Sequence, residues 1–149
     1  MENNEPIQND HIKQIIVIRT KYPDGNGGTK KLRTGKLISQ AAHASMAFMS
    51  NKLRINMPGS EHTKSRTVVL SEEQCIWLDG MFTKICVYVE SVEELLEVYK
   101  NALEADLTTH LITDKGLTEF GGIPTHTAVA IGPHYESKLK PITGHLPLY

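Results

Sequence analysis

The chain has 149 residues, enough for one domain with a sizeable core, and its 40% apolar and 22% charged residues are typical of a globular protein. No apolar run approaches the roughly 18 residues that a membrane helix needs, and no signal peptide is evident. We therefore expect a cytoplasmic protein without a membrane partner, and the net charge of −1 gives no support by itself to a polyanionic partner.

The charges are unevenly distributed along the chain. Residues 11–66 contain eleven Lys or Arg and two Asp or Glu, whereas residues 71–119 contain three Lys and eleven Asp or Glu. This asymmetry predicts a basic face suited to a phosphate-bearing partner. Two oppositely charged solvated surfaces would produce the same counts, and that alternative stays open.

Hydrophobic periodicity and capping signals predict the elements in chain order. A disordered tail over 1–11 precedes a single domain over 12–149. The helix over 35–53 carries a broad apolar stripe that includes Leu37, Ile38 and Ala41. The other predicted elements are a strand over 12–20, a loop over 21–34 with a hairpin at Asn26-Gly27, a short helix over 71–80, a strand over 84–90, a helix over 92–105, strands over 109–113 and 127–132, and a last short helix over 136–143.

The order of these elements predicts the fold. Helices separate the first three strands, so these strands should run parallel, and a loop without a helix permits an antiparallel fourth strand. We expect an α/β domain of two or three layers. Its roughly four-stranded mixed sheet, with three parallel strands and one antiparallel strand, should be packed by helices.

Two polar groups should meet at one edge of this sheet. Lys36 opens the helix after the first strand, and Asp114 follows the third strand, so a parallel arrangement places both at the carboxyl edge. Gln40 lies one turn beyond Lys36, and Thr127 begins the antiparallel strand there. The helix dipole disfavours a lysine at this position by about 0.3–1 kcal/mol, and an anion would relieve that cost. A solvated lysine and a turn aspartate remain the plainer readings.

No cofactor signature is present. The seven histidines and two cysteines show no metal-ligand spacing, and no phosphate-binding loop or Gly-x-Ser-x-Gly occurs, so we expect neither a metal nor a cofactor. Cys75 and Cys86 are expected to be buried thiols, as in cytosolic proteins. His43 is expected to be a hydrogen-bonded core histidine rather than a base.

Three spaced motifs resemble a known family. Residues 35–44 have the form Gly-Lys-x-x-x-Gln-x-x-His-Ala, residues 114–118 have the form Asp-x-Gly-x-Thr, and residues 127–148 supply a final strand and a C-terminal signature. In this order they resemble the archaeal- and eukaryotic-type peptidyl-tRNA hydrolases, the second structural class of that activity. The resemblance spans residues 12–149.

The resemblance implies hydrolysis of the ester bond that joins a peptide, or an N-blocked amino acid, to tRNA. It implies peptidyl-tRNA as partner, without DNA or a membrane, and a tendency to form homodimers, for which Phe48, Met49 or Trp77 could supply exposed apolar surface. The residues expected at the site are Lys36, Asp114 and Thr118 for catalysis and Gln40, Gly116, Thr127 and His43 for substrate binding. From their charge and loop position, Lys30, Lys31 and Arg33 are candidate RNA contacts.

The sequence departs from the family pattern at two positions near Asp114. Leu117 stands where the family usually has Arg, Glu119 stands where it usually has Gln, and the loops over 22–33 and 51–70 are enlarged. A non-catalytic RNA-binding or partner-binding module on the same scaffold is therefore the alternative. A nucleotide-binding α/β domain ranks last because no phosphate loop is present.

Overall fold

The computed structural model describes residues 10–54 and 65–149. Residues 1–9 of the predicted tail and residues 55–64 of the predicted enlarged loop over 51–70 lie outside the described residues, so those predictions stay predictions. At the end of the predicted tail, the Asp10 carboxylate accepts hydrogen bonds from Ser137, and the His11 carbonyl accepts one from Glu136 N.

The elements follow the predicted order. Two helices begin with a capping box, at Ser71 and at Ser91. In each, the serine side chain accepts from the backbone N–H three residues on, and the side chain of that residue accepts from the serine N–H. The elements are β1 (Ile12–Arg19), β2 (Tyr22–Pro23), β3 (Thr29–Lys30), α1 (Thr34–Leu53), α2 (Glu72–Asp79), β4 (Lys84–Val89), α3 (Val92–Glu104), β5 (Thr109–Asp114), β6 (Thr125–Tyr135) and α4 (Glu136–Thr143).

The main sheet is mixed and four-stranded, in the order β4-β1-β6-β5. Among the strands in the described residues, only β1 and β4 pair in parallel, since β6 lies between β1 and β5 and is antiparallel to both. The predicted count of three parallel strands and one antiparallel strand therefore does not describe the pairing. The direction of β5 still matches that of β1, because both oppose β6, and this places the ends of β1 and β5 at the same edge.

Side-chain alternation in β1 divides the core into two halves. Ile15 and Val17 pack with α3 and α4, whereas Ile16 and Ile18 pack with α1. The α1 half is built from small residues, among them Ala44 and two alanines of β6, so the helix lies close to the sheet. Helices thus cover both faces, which gives three layers.

The predicted exposure of four residues is wrong. Cys75 and Cys86 are free and exposed, because Cys75 lies on the outer side of α2 and Cys86 lies on the edge strand β4, on the face opposite Val87. Phe48 and Trp77 are buried against each other, edge to face, and are therefore not exposed apolar surface.

In the described parts of the chain, no helix is long and apolar enough to cross a membrane.

Candidate active site

Lys36 and Asp114 form an ion pair at the edge of the sheet. Lys36 lies in the first turn of α1, Asp114 is the last residue of β5, and Lys36 Nζ lies 2.5 Å from Asp114 Oδ2. Their side chains are 17% and 14% exposed, so the pair is largely shielded yet open to solvent. The predicted convergence of these two residues is confirmed.

A buried hydrogen-bond relay fixes the orientation of the Asp114 carboxylate. Gln40 Nε2 donates to Asp114 Oδ2 at 3.1 Å, and Thr127 Oγ1 donates to Gln40 Oε1 at 2.6 Å. Gln40 and Thr127 are both buried. A buried polar side chain is costly unless it is paired, so this relay determines which face of α1 turns toward the sheet.

The turn after β5 holds the second carboxylate oxygen. Gly116 N donates to Asp114 Oδ1 at 2.8 Å. Gly116 has φ +81°, and a Cβ there would lie 2.1 Å from the Ile123 carbonyl oxygen, so only glycine fits. The turn keeps the carboxylate aligned with the amide.

The partners of Asp114 set its charge. Burial raises the pKa of the Asp114 carboxyl, but the hydrogen bond from Lys36, the Gly116 N–H and the lysine charge together lower that pKa below its ordinary value. Asp114 is therefore ionised at neutral pH. It is a weak base while Lys36 stays bound to it, which suits a role in orienting water more than in abstracting a proton unaided.

Two cavities share Lys36 and Thr118 as lining residues. A groove of about 770 Å³ runs between α1 and β5, with Lys36, Asp114 and Thr118 among its lining residues. A second cavity of about 500 Å³ lies at the start of α1, lined by Arg33, Gly35, Lys36, Ser39 and Thr118. A substrate with two unlike halves would thus have room on both sides of Lys36.

The remaining predicted residues of the pocket are placed at its walls. Thr118 lines both cavities, is exposed, and makes no side-chain hydrogen bond within the part of the chain that the structure describes. His43 lines the groove and is exposed, with its Nε2 3.5 Å from Ser39 Oγ. The expectation of a core histidine is therefore wrong: α1 is rotated so that Gln40 and Ala44 face the sheet and His43 faces the groove.

The candidate RNA contacts Lys30, Lys31 and Arg33 precede α1, and two of them bind Glu119. Arg33 Nε lies 2.7 Å from Glu119 Oε1, and Lys30 Nζ donates to the Glu119 carbonyl oxygen at 2.8 Å. The hydrogen bond from Arg33 lowers the pKa of Glu119, which therefore stays ionised. Lys31 is exposed and has no hydrogen bond or ion pair within the described residues.

The charged pair has the two groups that ester hydrolysis can use. Within residues 10–54 and 65–149, no group of three His, Cys, Asp or Glu is placed to hold a metal ion. An ionised carboxylate can orient a water molecule, and an ammonium beside it can stabilise negative charge on a carbonyl oxygen.

The sequence analysis did not predict the length of the groove or the contact between Glu119 and Arg33. Met46 of α1 and Leu111 of β5 line the groove well beyond the ion pair, and Leu117 forms part of its wall. Helical spacing from Lys36 through Gln40 and His43 could have indicated that this side of α1 continues to Met46. Nothing local to Glu119 indicates its contact with Arg33, which is 86 positions away.

Comparisons with known proteins agree on one family. Residues 12–149 match the model of the family "Peptidyl-tRNA hydrolase PTH2". Proteins named peptidyl-tRNA hydrolase from Halobacterium salinarum and Methanopyrus kandleri are 36% and 33% identical to this chain, covering 93% and 91% of it and 100% and 97% of their own lengths. The protein of that name from Methanothermobacter thermautotrophicus is 32% identical over 92% of this chain and 99% of its own length.

Proposed function

The chain belongs to the peptidyl-tRNA hydrolase PTH2 family, and we propose from this premise how its site cleaves the ester bond between tRNA and a peptide or N-blocked amino acid. The observation that carries the proposal is the shielded Lys36–Asp114 pair at the junction of two cavities. The ester carbonyl lies at that junction, with tRNA on one side and the peptide on the other.

Asp114 orients the attacking water. Its carboxylate is ionised and fixed by Gln40 and Gly116 N, so a water molecule bound to it has a defined direction toward the ester carbon. Thr118, on the wall of both cavities, is placed to donate to or accept from the same water.

Lys36 stabilises the negative charge of the tetrahedral intermediate. Its ammonium has three donors and spends one on Asp114, which leaves donors for the ester carbonyl oxygen. As Lys36 shifts toward that oxygen, its hold on Asp114 weakens and the carboxylate becomes a stronger base, able to take the proton of the attacking water. The ester C–O bond then breaks, and the ribose oxygen of tRNA leaves as a hydroxyl because it takes up the proton that Asp114 had accepted from the water.

Gln40, Thr127, Gly116 and His43 support the substrate or the reacting pair. Gln40 and Thr127 form the relay behind Asp114, and Gly116 shapes its turn, so these three act through the carboxylate. His43 faces the groove and can contact the substrate directly.

Lys30, Lys31 and Arg33 form the tRNA footprint in this proposal. All three precede α1, and Arg33 lines the smaller cavity, where cationic side chains and the helix N-terminus both favour a phosphate. Glu119 engages two of them, so phosphate binding competes with Glu119 for Arg33 and Lys30.

The function is tested with N-acetyl-aminoacyl-tRNA and free aminoacyl-tRNA as paired substrates. We expect cleavage of the blocked substrate and little cleavage of the free one, measured as release of labelled amino acid from tRNA. A protein that binds both tRNAs but releases nothing would be the non-catalytic module, and the proposed reaction would be wrong. A cytoplasmic location and a homodimer stay predictions.

A further inference from the structure

The groove between α1 and β5 extends beyond the catalytic pair. Lys36 and Met46 lie ten residues apart on α1, which is about 15 Å along the helix. The reacting ester needs only the end of the groove at Lys36 and Asp114. The rest of the cavity is therefore available to another part of the substrate.

One wall of the groove is the free edge of a β-sheet. β5 is the outermost strand of its sheet, and within the described residues it pairs with β6 alone. Four consecutive residues, 111–114, line the groove. Because successive side chains of a strand point to opposite faces, a groove lined by consecutive residues must meet the backbone edge of that strand. Such an edge presents unpaired N–H and C=O groups.

The opposite wall and the rim carry exposed apolar side chains. Met46 is 54% exposed and Leu117 is 80% exposed, although both are large and apolar. A free strand edge beside apolar side chains is the combination that binds extended peptides: backbone hydrogen bonds give affinity that does not depend on sequence, and apolar contacts add to it.

We propose that this groove binds the nascent peptide of the substrate as an added strand on the edge of β5. The inference rests on the proposed function and names the subsite for one half of its substrate. The peptide's carboxyl end lies at Lys36 and Asp114, and its chain extends toward Leu111, so it runs parallel to β5. The strand edge that lines the groove accommodates about four peptide residues.

The two cavities thereby divide the substrate by chemistry. The smaller cavity carries Arg33 and adjoins Lys30, which suits the phosphates of tRNA. The middle of the groove carries Met46, Ala47 and Ile112 and the strand edge, which suits a peptide of variable sequence. A backbone-directed subsite fits an enzyme that meets peptides of every sequence.

The test compares substrates that differ only in peptide length. N-acetyl-aminoacyl-tRNA and an N-acetylated tetrapeptidyl-tRNA with the same tRNA and the same esterified residue are assayed with the wild-type protein. We expect kcat/KM to be about tenfold higher for the longer substrate, since a few net hydrogen bonds and apolar contacts supply that factor. An N-methyl group on the amides of the second and third residues from the ester should remove most of the gain.

A matched pair of variants locates the effect in the groove. Met46→Glu places a charge on the apolar wall and should lower the ratio of long-substrate to short-substrate kcat/KM at least threefold. Met81→Glu makes the same change at a methionine that is 86% exposed and outside both cavities, and should leave the ratio unchanged. Thermal melts of both variants check that the fold is intact.

Each result separates the subsite from the reaction. Cleavage of both substrates at equal kcat/KM would overturn the peptide subsite and leave the proposed function intact. An alternative result is that Met46→Glu lowers kcat/KM equally for both substrates, by the same factor as its affinity for deacylated tRNA. That result would assign the groove to RNA and overturn the proposal. No cleavage of any substrate would overturn the proposed function and this subsite with it.

Discussion

Two carboxylates of this protein have closely similar surroundings and, in our account, different roles. Asp114 is bound by Lys36 and Gln40, whereas Glu73 of α2 is bound by Lys138 and by His134 Nδ1 at 2.8 Å. Their side chains are 14% and 18% exposed, so burial does not distinguish them. In both, burial raises the pKa of the carboxyl, while the hydrogen bonds bring it below the ordinary value.

The two clusters differ in what lies beside them. Glu73 joins α2 to His134 and Tyr135 at the end of β6 and to Lys138 of α4, and His134 Nε2 in turn accepts from Thr108 N at 2.8 Å. Its partners thus tie separate elements together. Asp114 opens onto a groove between its partners. A carboxylate paired with a lysine can therefore serve structure alone. The cavity beside Asp114 is the feature that makes its pair a candidate site.

The largest expected effect separates the two carboxylates by activity. Asp114→Asn keeps the shape of the side chain but removes the charge that orients water, so we expect kcat to fall about 10²–10⁴-fold. Glu73→Gln should leave kcat within about twofold of wild type. Single-turnover hydrolysis of N-acetyl-aminoacyl-tRNA measures both. Comparable losses in the two variants would erase the distinction between the clusters.

The next effect separates them by stability. Glu73→Gln weakens the bonds to Lys138 and His134, and we expect it to lower the free energy of unfolding by about 1–3 kcal/mol, as measured by urea denaturation. Glu72→Gln is the matched control, because Glu72 also lies in the first turn of α2 but makes no side-chain hydrogen bond within the described residues. Equal losses in both variants would mean that the lost stability comes from the helix dipole and not from the bonds of Glu73 to Lys138 and His134.

The pH dependence of stability sharpens this second test. The folded-state pKa of Glu73 lies below its unfolded value, so its contribution is fully present above the unfolded pKa and is lost as pH falls through the folded pKa. The wild-type protein should therefore lose more stability than Glu73→Gln as the pH falls from about 5 to about 3, across and below the ordinary pKa of glutamate. Parallel losses in urea midpoints over that range would contradict the assignment.

The smallest effect concerns another paired carboxylate, Glu119. Removing its charge by Glu119→Gln frees Arg33, whose side chain is 79% exposed, to bind phosphate. Because an ion pair at the surface is worth about 0.2–1 kcal/mol, deacylated tRNA should bind up to about fivefold more tightly. Glu97→Gln removes an equal charge from α3, away from Arg33, and controls for net charge. A filter-binding measurement in which both variants gain equally would show that Glu119 has no local role.

The sequence sufficed for those parts of the fold and site that local rules determine. The capping serines at Ser71 and Ser91 are short-range signals, and the convergence of Lys36 and Asp114 follows from strand direction alone. The insertion of β6 between β1 and β5 depends on pairing between strands that are far apart in the sequence, so no local sequence pattern predicts it.

The predicted apolar stripe of α1 is correct only in part. Leu37 and Ala41 pack on the sheet, but Ile38 is 62% exposed and Gln40 is buried, so the helix is rotated toward Gln40. The bonds of Gln40 to Asp114 and Thr127 decide this rotation, and those partners lie 74 and 87 positions away. The groove lined by Met46 and His43 follows from the same rotation, so it could not be read from hydrophobicity.

The central claim is that Lys36 and Asp114 act as one catalytic unit, and a double-mutant cycle tests it most directly. Single-turnover rates of ester cleavage are measured for wild type, Lys36→Met, Asp114→Asn and the double variant. Because either loss disables the pair, the account predicts a double variant within about threefold of the slower single variant. A wild-type rate in either single variant, or fully multiplicative losses in the double variant, would contradict it.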